Sequence, residues 1–413
     1  MEKIFDRFHG IFVGIMELND QFELIRQSST VALADRILML KASGRKIIPL
    51  HVGDPDFATP SAIVDAAFRA LKDGLTHYGP SRGFLDLRNA IASKFSRDTS
   101  DPKCGTMAYD PESEILVTHG GIHAYYLAIQ AILNPGDEVL ISDPSWATHT
   151  NMVKQFRGKV VHVPALAENG FLPTFDSWKN ALTSRTTAMV INFPGNPTGV
   201  YPSREYLQQL HSLAGEFGLW VISDEVYENL FFEEKPVSAG AFPDAKGHTI
   251  LVNSLSKTYA MTGWRVGYMA APQRVIENAL KAAQNSITCV APFIQKAAAF
   301  ALSDDGVQVE AAAMRSAYAC RREKVIQIFH DYGDSPVHIL PPKGAFYFFI
   351  NLRALKIPSQ EICDRILDEA GVGLTPGSAF GKQGEGFARM TIAASDADVS
   401  VGFKSILDWA GRR

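Results

Sequence analysis

Seven short apolar runs, each four or five residues long, constrain the fold of this chain more than any other feature. They lie at residues 114–118, 138–142, 160–163, 188–192, 219–223, 250–253 and 266–270, and segments of helical period, such as 122–133 and 204–217, separate several of them. Short apolar strands alternating with helices are the pattern of a wound, mostly parallel α/β sheet. Near residue 275 the pattern becomes helix-rich, with a long candidate helix at 307–330. A strand-like segment at 344–352, a helix near 359–369 and a last strand at 388–392 follow. The expected organisation is a large α/β domain over residues 60–275. A smaller α+β domain and N-terminal arm would be built from residues 1–59 and 276–413, and 413 residues suffice for both cores.

Charge excludes one class of partner. With 40 basic and 44 acidic residues the net charge is −4 and no basic block stands out, so nucleic acid is not expected to bind. Cys104, Cys289, Cys320 and Cys363 are far apart and have no histidine at metal-ligand spacing. That pattern predicts reduced thiols in the cytoplasm, with neither a disulfide frame nor a metal site. Residues 8–16 are apolar but flanked by Glu2, Asp6 and Glu17, so they read as an arm or short helix and not as a signal peptide. No run approaches the roughly 20 apolar residues of a membrane span.

The segment NSLSKTYAMTGWRVGY, residues 253–268, carries the chemistry. Its Lys257 follows a buried strand, where α/β proteins bind ligands outside the carboxyl edge of the sheet. A partly desolvated lysine near other cations has a lowered pKa and becomes a usable amine nucleophile. Ser254, Ser256 and Arg265 are donors suited to a phosphate. A nucleophilic lysine beside a phosphate cradle points to pyridoxal phosphate (PLP).

Four segments upstream agree with this. THGGIHAYYLAI (118–129) ends a strand in two glycines and starts a helix, a natural phosphate seat, though such turns are often only structural. DPSWATH (143–149) places Trp146 just past a strand, where it could stack on a planar ring or simply join the core. NFPGNPTG (192–199) is a rigid turn that would hold the Asn196 amide in one pose. In VISDEVYENL (221–230), Asp224 ends a buried aliphatic run and needs a cationic partner, unless it merely caps the next helix. A protonated pyridine nitrogen would be such a partner, with Tyr227 within reach of the ring's phenolate.

The order GG, PSW, NPTG, SDEVY, SLSK, GWRVGY resembles the fold type I PLP-dependent enzymes, and within them the class I and II aminotransferases. The resemblance runs from HVGDPDFATP (51–60) and THYGPSRG (76–83) to GVGLTPGSAFG (371–381) and FARMTIAAS (387–395). It implies that Lys257 is the Schiff-base lysine and Asp224 the partner of the pyridine nitrogen. Asn196 and Tyr227 would hold the phenolate oxygen, with Trp146 against the ring face. The backbone amides of Gly121 and Ile122, with Ser254, Ser256 and Arg265, would bind the phosphate. Arg389, aided by Asn196 and the backbone at Gly53, would take the substrate carboxylate. Tyr78 would reach the phosphate of a neighbouring subunit, implying a homodimer with shared sites.

The implied reaction moves an amino group from an L-amino acid to a 2-oxo acid by a ping-pong route. In some aspartate-specific relatives a lysine follows the glycine pair and binds the distal carboxylate; here that position is Ile122, which leaves an acidic substrate open to question, and the chain also resembles aromatic aminotransferases and those that use arginine or other amino acids as donor and pyruvate as acceptor. Ile122, Tyr125 and Phe346 are candidates for an apolar side-chain pocket, or equally for core. A PLP lyase or synthase on the same fold is the alternative reading. A non-enzymatic PLP sensor fits less well, because the residues before His51 are too few for a DNA-binding module. A serine acyl-transfer reading of Ser254-x-x-Lys257 lacks its companion K-T-G and S-D-N elements.

Overall fold

A computed structural model describes residues 20–25, 29–98 and 107–413, so the arm expected at 8–16 and Cys104 lie outside the described residues. A two-residue strand, β1 (Ile48–Pro49), precedes the main sheet. That sheet comprises β2 (Ile115–Thr118), β3 (Glu138–Asp143), β4 (Lys159–Pro164), β5 (Thr186–Asn192), β6 (Trp220–Asp224), β7 (Thr249–Ser254) and β8 (Gly267–Ala270). Their order is β2-β8-β7-β6-β5-β3-β4, parallel except for β8, which is antiparallel to both neighbours. Each of the seven apolar runs has become one of these strands, giving the fold type I α/β architecture.

The central strands are apolar along their whole length because both faces are covered. Helices Gly120–Ile132 and Gln273–Ser286 pack Ala124, Leu127, Val275 and Ile276 on one face. Helices Ser61–Lys72, Leu85–Asp98, Arg204–Phe217 and Pro292–Ser303 cover the other. Local signals set their ends. Ser203 Oγ accepts from the Tyr206 amide, and Gly218 closes the same helix at φ +64°.

A second core lies around a three-stranded antiparallel sheet of β9 (Tyr347–Asn351), β11 (Thr375–Pro376) and β12 (Phe387–Thr391), ordered β11-β12-β9. Beside it β10 (Val372–Gly373) pairs in parallel with β1. Helices Asp305–Tyr332 and Asp396–Gly411 pack against this sheet through Tyr318, Val325, Phe403 and Trp409. β9 is shorter than the sequence suggests. Ala345 adopts φ +57° and Gly344 bridges to Phe231, so the backbone enters the ladder only at Tyr347. Among the described residues no helix is long and apolar enough to cross a membrane.

Candidate active site

Parallel strands carry their last residues to one edge of the sheet, the place where this topology leaves a crevice. β3 ends at Asp143, β5 at Asn192, β6 at Asp224 and β7 at Ser254. A cavity of about 440 Å³ opens there. Gly53, Gly121, Ile122, Trp146, Asn196, Asp224, Tyr227, Ser254, Ser256, Lys257, Arg265 and Arg389 all line it. Tyr78 does not; it stands 88% exposed on the surface.

Lys257 lies three residues past β7 and donates from Nζ to the Gly53 carbonyl at 2.6 Å. The same Nζ is 5.9 Å from the Tyr227 ring and 5.8 Å from the Phe346 ring. Burial of the ammonium lowers its pKa to about 8, with Arg389 and Arg265 pushing the same way against Asp54 and Asp224. The amine is therefore neutral at far lower pH than an ordinary lysine.

At one end of the cavity, helix Gly120–Ile132 presents its first-turn amides, which have no partner within the helix. Close approach demands glycine here. Gly120 adopts φ +78°, a conformation that strains any other residue, and a Cβ on Gly121 would meet Val226 Cγ1 at 2.8 Å. Arg265 is held in the left-handed region, φ +55°, and donates from Nη1 to the Thr262 carbonyl at 2.7 Å. Ser254 and Ser256, both buried, complete a cluster of neutral and cationic donors suited to a dianion.

Asp224 is buried in the cavity floor. His149 Nε2 lies 3.0 Å from its Oδ2, and the Val226 amide donates to Oδ1 at 3.3 Å. The His149 ring meets Tyr125 and Trp146 edge-on, with centroids 4.8 and 5.3 Å away, and its Nδ1 has no partner among the described residues. Across the cavity, the Tyr227 and Tyr347 hydroxyls are 2.8 Å apart, and burial raises the Tyr227 pKa well above its usual value.

Arg389 projects from β12, buried at 4% exposure. Nη1 donates to Asn196 Oδ1 at 2.9 Å, and Nη2 donates to the His51 carbonyl at 2.7 Å and Thr375 Oγ1 at 3.4 Å. Its guanidinium lies 4.4 Å from the Tyr347 ring centre, and Nε has no partner among the described residues. A cation fixed in this way offers a planar fork to a carboxylate. His51 beside it is held down to about pKa 4 by burial first and Arg389 second, and so stays neutral.

Sequence reasoning missed His149 and Tyr347. His149 carried a signal, as it stands one helical turn beyond Trp146. Tyr347 carried none, lying within the uniformly apolar FYFFI. Of the three residues read as either apolar pocket or core, Ile122 lines the cavity at 39% exposure, whereas Tyr125 and Phe346 are fully buried core. Ala34 and Val52 join Ile122 in the cavity wall instead.

The pattern for aminotransferase class I and II matches residues 45–406. An aspartate aminotransferase of Pyrococcus abyssi is 38% identical over 381 residues, 92% of this chain and 95% of its own length. Aromatic-amino-acid aminotransferase 2 of Thermococcus litoralis is 36% identical with the same coverage. Among solved structures, an aromatic aminotransferase of Pyrococcus horikoshii superposes with a TM-score of 0.85 at 37% identity, over 92% of this chain and 99% of that one. The aspartate aminotransferase of Thermus thermophilus with maleate gives 0.89 at 34% identity, over 95% and 99%. Homologues in this family are PLP-dependent. The chain belongs to the class I and II aminotransferases and is a transaminase, exchanging an amino group between an amino acid and a 2-oxo acid.

Proposed function

We propose that this cavity binds PLP and transfers the amino group of an L-amino acid with a neutral side chain. The observation that carries the reading is the convergence of Lys257, Asp224 and Arg389 on one cavity. The residues present fit the cofactor. The Gly120–Gly121 turn, too tight for a Cβ, with Ser254, Ser256 and Arg265, suits a phosphate. Asp224 suits a protonated ring nitrogen, Asn196 and Tyr227 a phenolic oxygen, and Trp146 a ring face. When bound, PLP supplies the aldehyde and the electron-accepting ring.

The chain's own groups then divide the work. Lys257 Nζ, neutral in part near physiological pH, would be the group that holds the cofactor's aldehyde and, when free, the base that takes the proton from the substrate Cα. Asp224, held by His149, would face the ring nitrogen and favour its protonated form. Arg389 pairs with the α-carboxylate and thereby fixes the direction of the Cα–H bond. The carboxylate also meets Asn196 and the backbone at Gly53.

A neutral side chain is supported by the wall of Ala34, Val52 and Ile122. It is also supported by the roles this reading already gives the cations lining the cavity: Lys257 to the cofactor aldehyde, Arg265 to its phosphate and Arg389 to the α-carboxylate. We further propose a homodimer in which the exposed Tyr78 reaches the neighbouring site, and cytoplasmic residence, supported by the free thiols Cys289, Cys320 and Cys363. The two-domain division is also proposed. The boundary proposed at 275 moves past residue 303 in this reading, supported by Val275 and Ile276 sharing one core with main-sheet residues and Ala297 and Ala301 another.

Absorbance of the PLP-loaded protein before and after each amino acid tests the reading. Conversion of the yellow band to the pyridoxamine form by neutral amino acids is expected. A band unchanged by every amino acid would overturn it in favour of a lyase, synthase or sensor.

A further inference from the structure

Asp143 ends β3 and makes contacts that the transfer chemistry does not itself require. Its Oδ2 accepts from the Lys382 amide at 3.0 Å and its Oδ1 from the Gln383 amide at 3.2 Å. Two residues on, the Ser145 amide donates to the Phe380 carbonyl at 2.9 Å. The opposing turn is shaped around the carboxylate. Gly381 has φ +130°, and a Cβ there would stand 2.0 Å from Asp143 Oδ1. At 3% exposure, a carboxylate needs such donors to offset its lost hydration.

What these bonds join matters more than their number. Asp143 and Ser145 lead into Trp146, in the cavity wall on the side of the main sheet. The turn they grip includes Phe380, whose ring centre lies 5.1 Å from the Arg389 guanidinium. Phe380 also meets Phe349 of β9 edge-on at 6.1 Å, so it packs on the sheet that carries Arg389. One buried carboxylate therefore ties the end of β3 to a turn that packs on the small sheet.

We propose that Asp143 is a positioning residue, a latch that fixes the 380–383 turn against the Trp146 loop and so holds Phe380 and Arg389 in register for the amino acid's carboxylate. The inference rests on Arg389 as the carboxylate-binding residue. It predicts a defect in amino acid binding larger than any in cofactor binding, because none of the phosphate-side residues touches the latch and, of the residues assigned to the cofactor, Trp146 alone adjoins it.

The test compares PLP-loaded wild type with Asp143→Ala, Asp143→Asn, Gly381→Ala and Arg389→Lys. Asp143→Ala should raise KM for the amino donor about tenfold, the scale of losing hydrogen bonds to a buried charge, with smaller changes in kcat and in PLP affinity. Asp143→Asn, which keeps one acceptor oxygen, should fall between. Hydrogen exchange of the peptide covering 377–386 should speed up in Asp143→Ala while the β6 and β7 peptides hold. Gly381→Ala pushes a Cβ into the carboxylate from the opposite side and should reproduce the KM defect, which keeps the proposal testable if Asp143→Ala does not fold. Unchanged KM and exchange in both latch variants, with KM raised in Arg389→Lys, would overturn the latch alone. Unchanged KM in Arg389→Lys would overturn the carboxylate reading beneath it. Equal losses of kcat, KM, PLP affinity and Tm in the latch variants would make Asp143 merely structural.

Discussion

Arg389 Nη1 donates to Asn196 Oδ1 at 2.9 Å, joining residues 193 positions apart and two different sheets. Arg389 stands on β12 of the small sheet, and Asn196 in the turn that follows β5 of the large one. The group proposed to meet the substrate carboxylate is thus oriented partly by the turn at the edge of the main sheet.

Arg389→Lys should reduce kcat/KM by about a hundredfold or more although charge is kept. A lysine offers a single ammonium in place of the fork that here contacts Asn196, His51 and Thr375 at once. Steady-state kinetics with the preferred amino donor measures it. Activity within a few-fold of wild type would remove Arg389 from the carboxylate site.

Much of this site was legible because its chemistry is local. Asp224 closes an aliphatic run, Lys257 follows another, and Gly120–Gly121 separates a strand from a helix, so each is marked by its immediate neighbours. What escaped depends on packing between distant segments. Tyr347 lies among four apolar neighbours, and only the register of β9 against β12 turns its hydroxyl towards Tyr227. Tyr125 and Phe346 were ambiguous for the same reason, since an aromatic on a cavity wall and one in a core have the same sequence environment. The Asp143 contact with residues 382 and 383 needs both sheets in place before it exists.

Lys257 makes the apo-protein's stability depend on pH in a defined direction. Its pKa falls from an ordinary 10.5 to about 8 in the folded chain, chiefly through burial. Between about 8 and 10.5 the unfolded chain binds more protons than the folded one, so stability rises with pH across this window. The contribution is complete above the unfolded value and is lost as pH falls through about 8. Lys257→Met lacks the group and should be more stable than wild type at pH values below the window, with the gap narrowing above it. Urea midpoints of both apo-proteins on either side of the window provide the measurement; a constant gap would mean the amine keeps its ordinary pKa.

Lys257→Ala should abolish turnover and the band that PLP gives in the wild type, while the far-ultraviolet circular dichroism and melting temperature are retained or improved. Removing a poorly solvated ammonium costs the fold little, whereas the amine and the proton acceptor are the same atom. Residual turnover near wild type would overturn the assignment of Lys257.

Ile122→Lys should move donor preference towards acidic amino acids. Ile122 sits on the first turn of helix Gly120–Ile132, 39% exposed at the cavity wall, where an ammonium would meet a distal carboxylate without displacing a core side chain. The ratio of kcat/KM for L-aspartate over a neutral donor should rise about tenfold, the scale of one partly desolvated ion pair. A wild type that already prefers L-aspartate would refute the neutral-donor reading.

Gly53 and Tyr347 should be coupled. A Cβ on Gly53 would lie 2.4 Å from the Tyr347 hydroxyl oxygen and 3.4 Å from the ring carbon that bears it, so Gly53→Ala collides with the hydroxyl and not with the ring. Neither side yields easily. Tyr347 is fully buried with its hydroxyl on Tyr227 and its ring under Arg389, and Gly53 carries the carbonyl that holds Lys257 Nζ. Gly53→Ala alone should therefore lower kcat/KM at least tenfold by displacing Lys257 or Arg389. Tyr347→Phe alone should cost less, about the net value of one hydrogen bond, roughly 0.5–1.5 kcal/mol in transition-state stabilisation. The double variant should recover most of the Gly53→Ala loss, because the offending oxygen is gone. A double-mutant cycle on kcat/KM gives the coupling directly. Strictly additive losses would show that the loop at Gly53 and the ring of Tyr347 move independently, and that the carbonyl's hold on Lys257 does not depend on this contact.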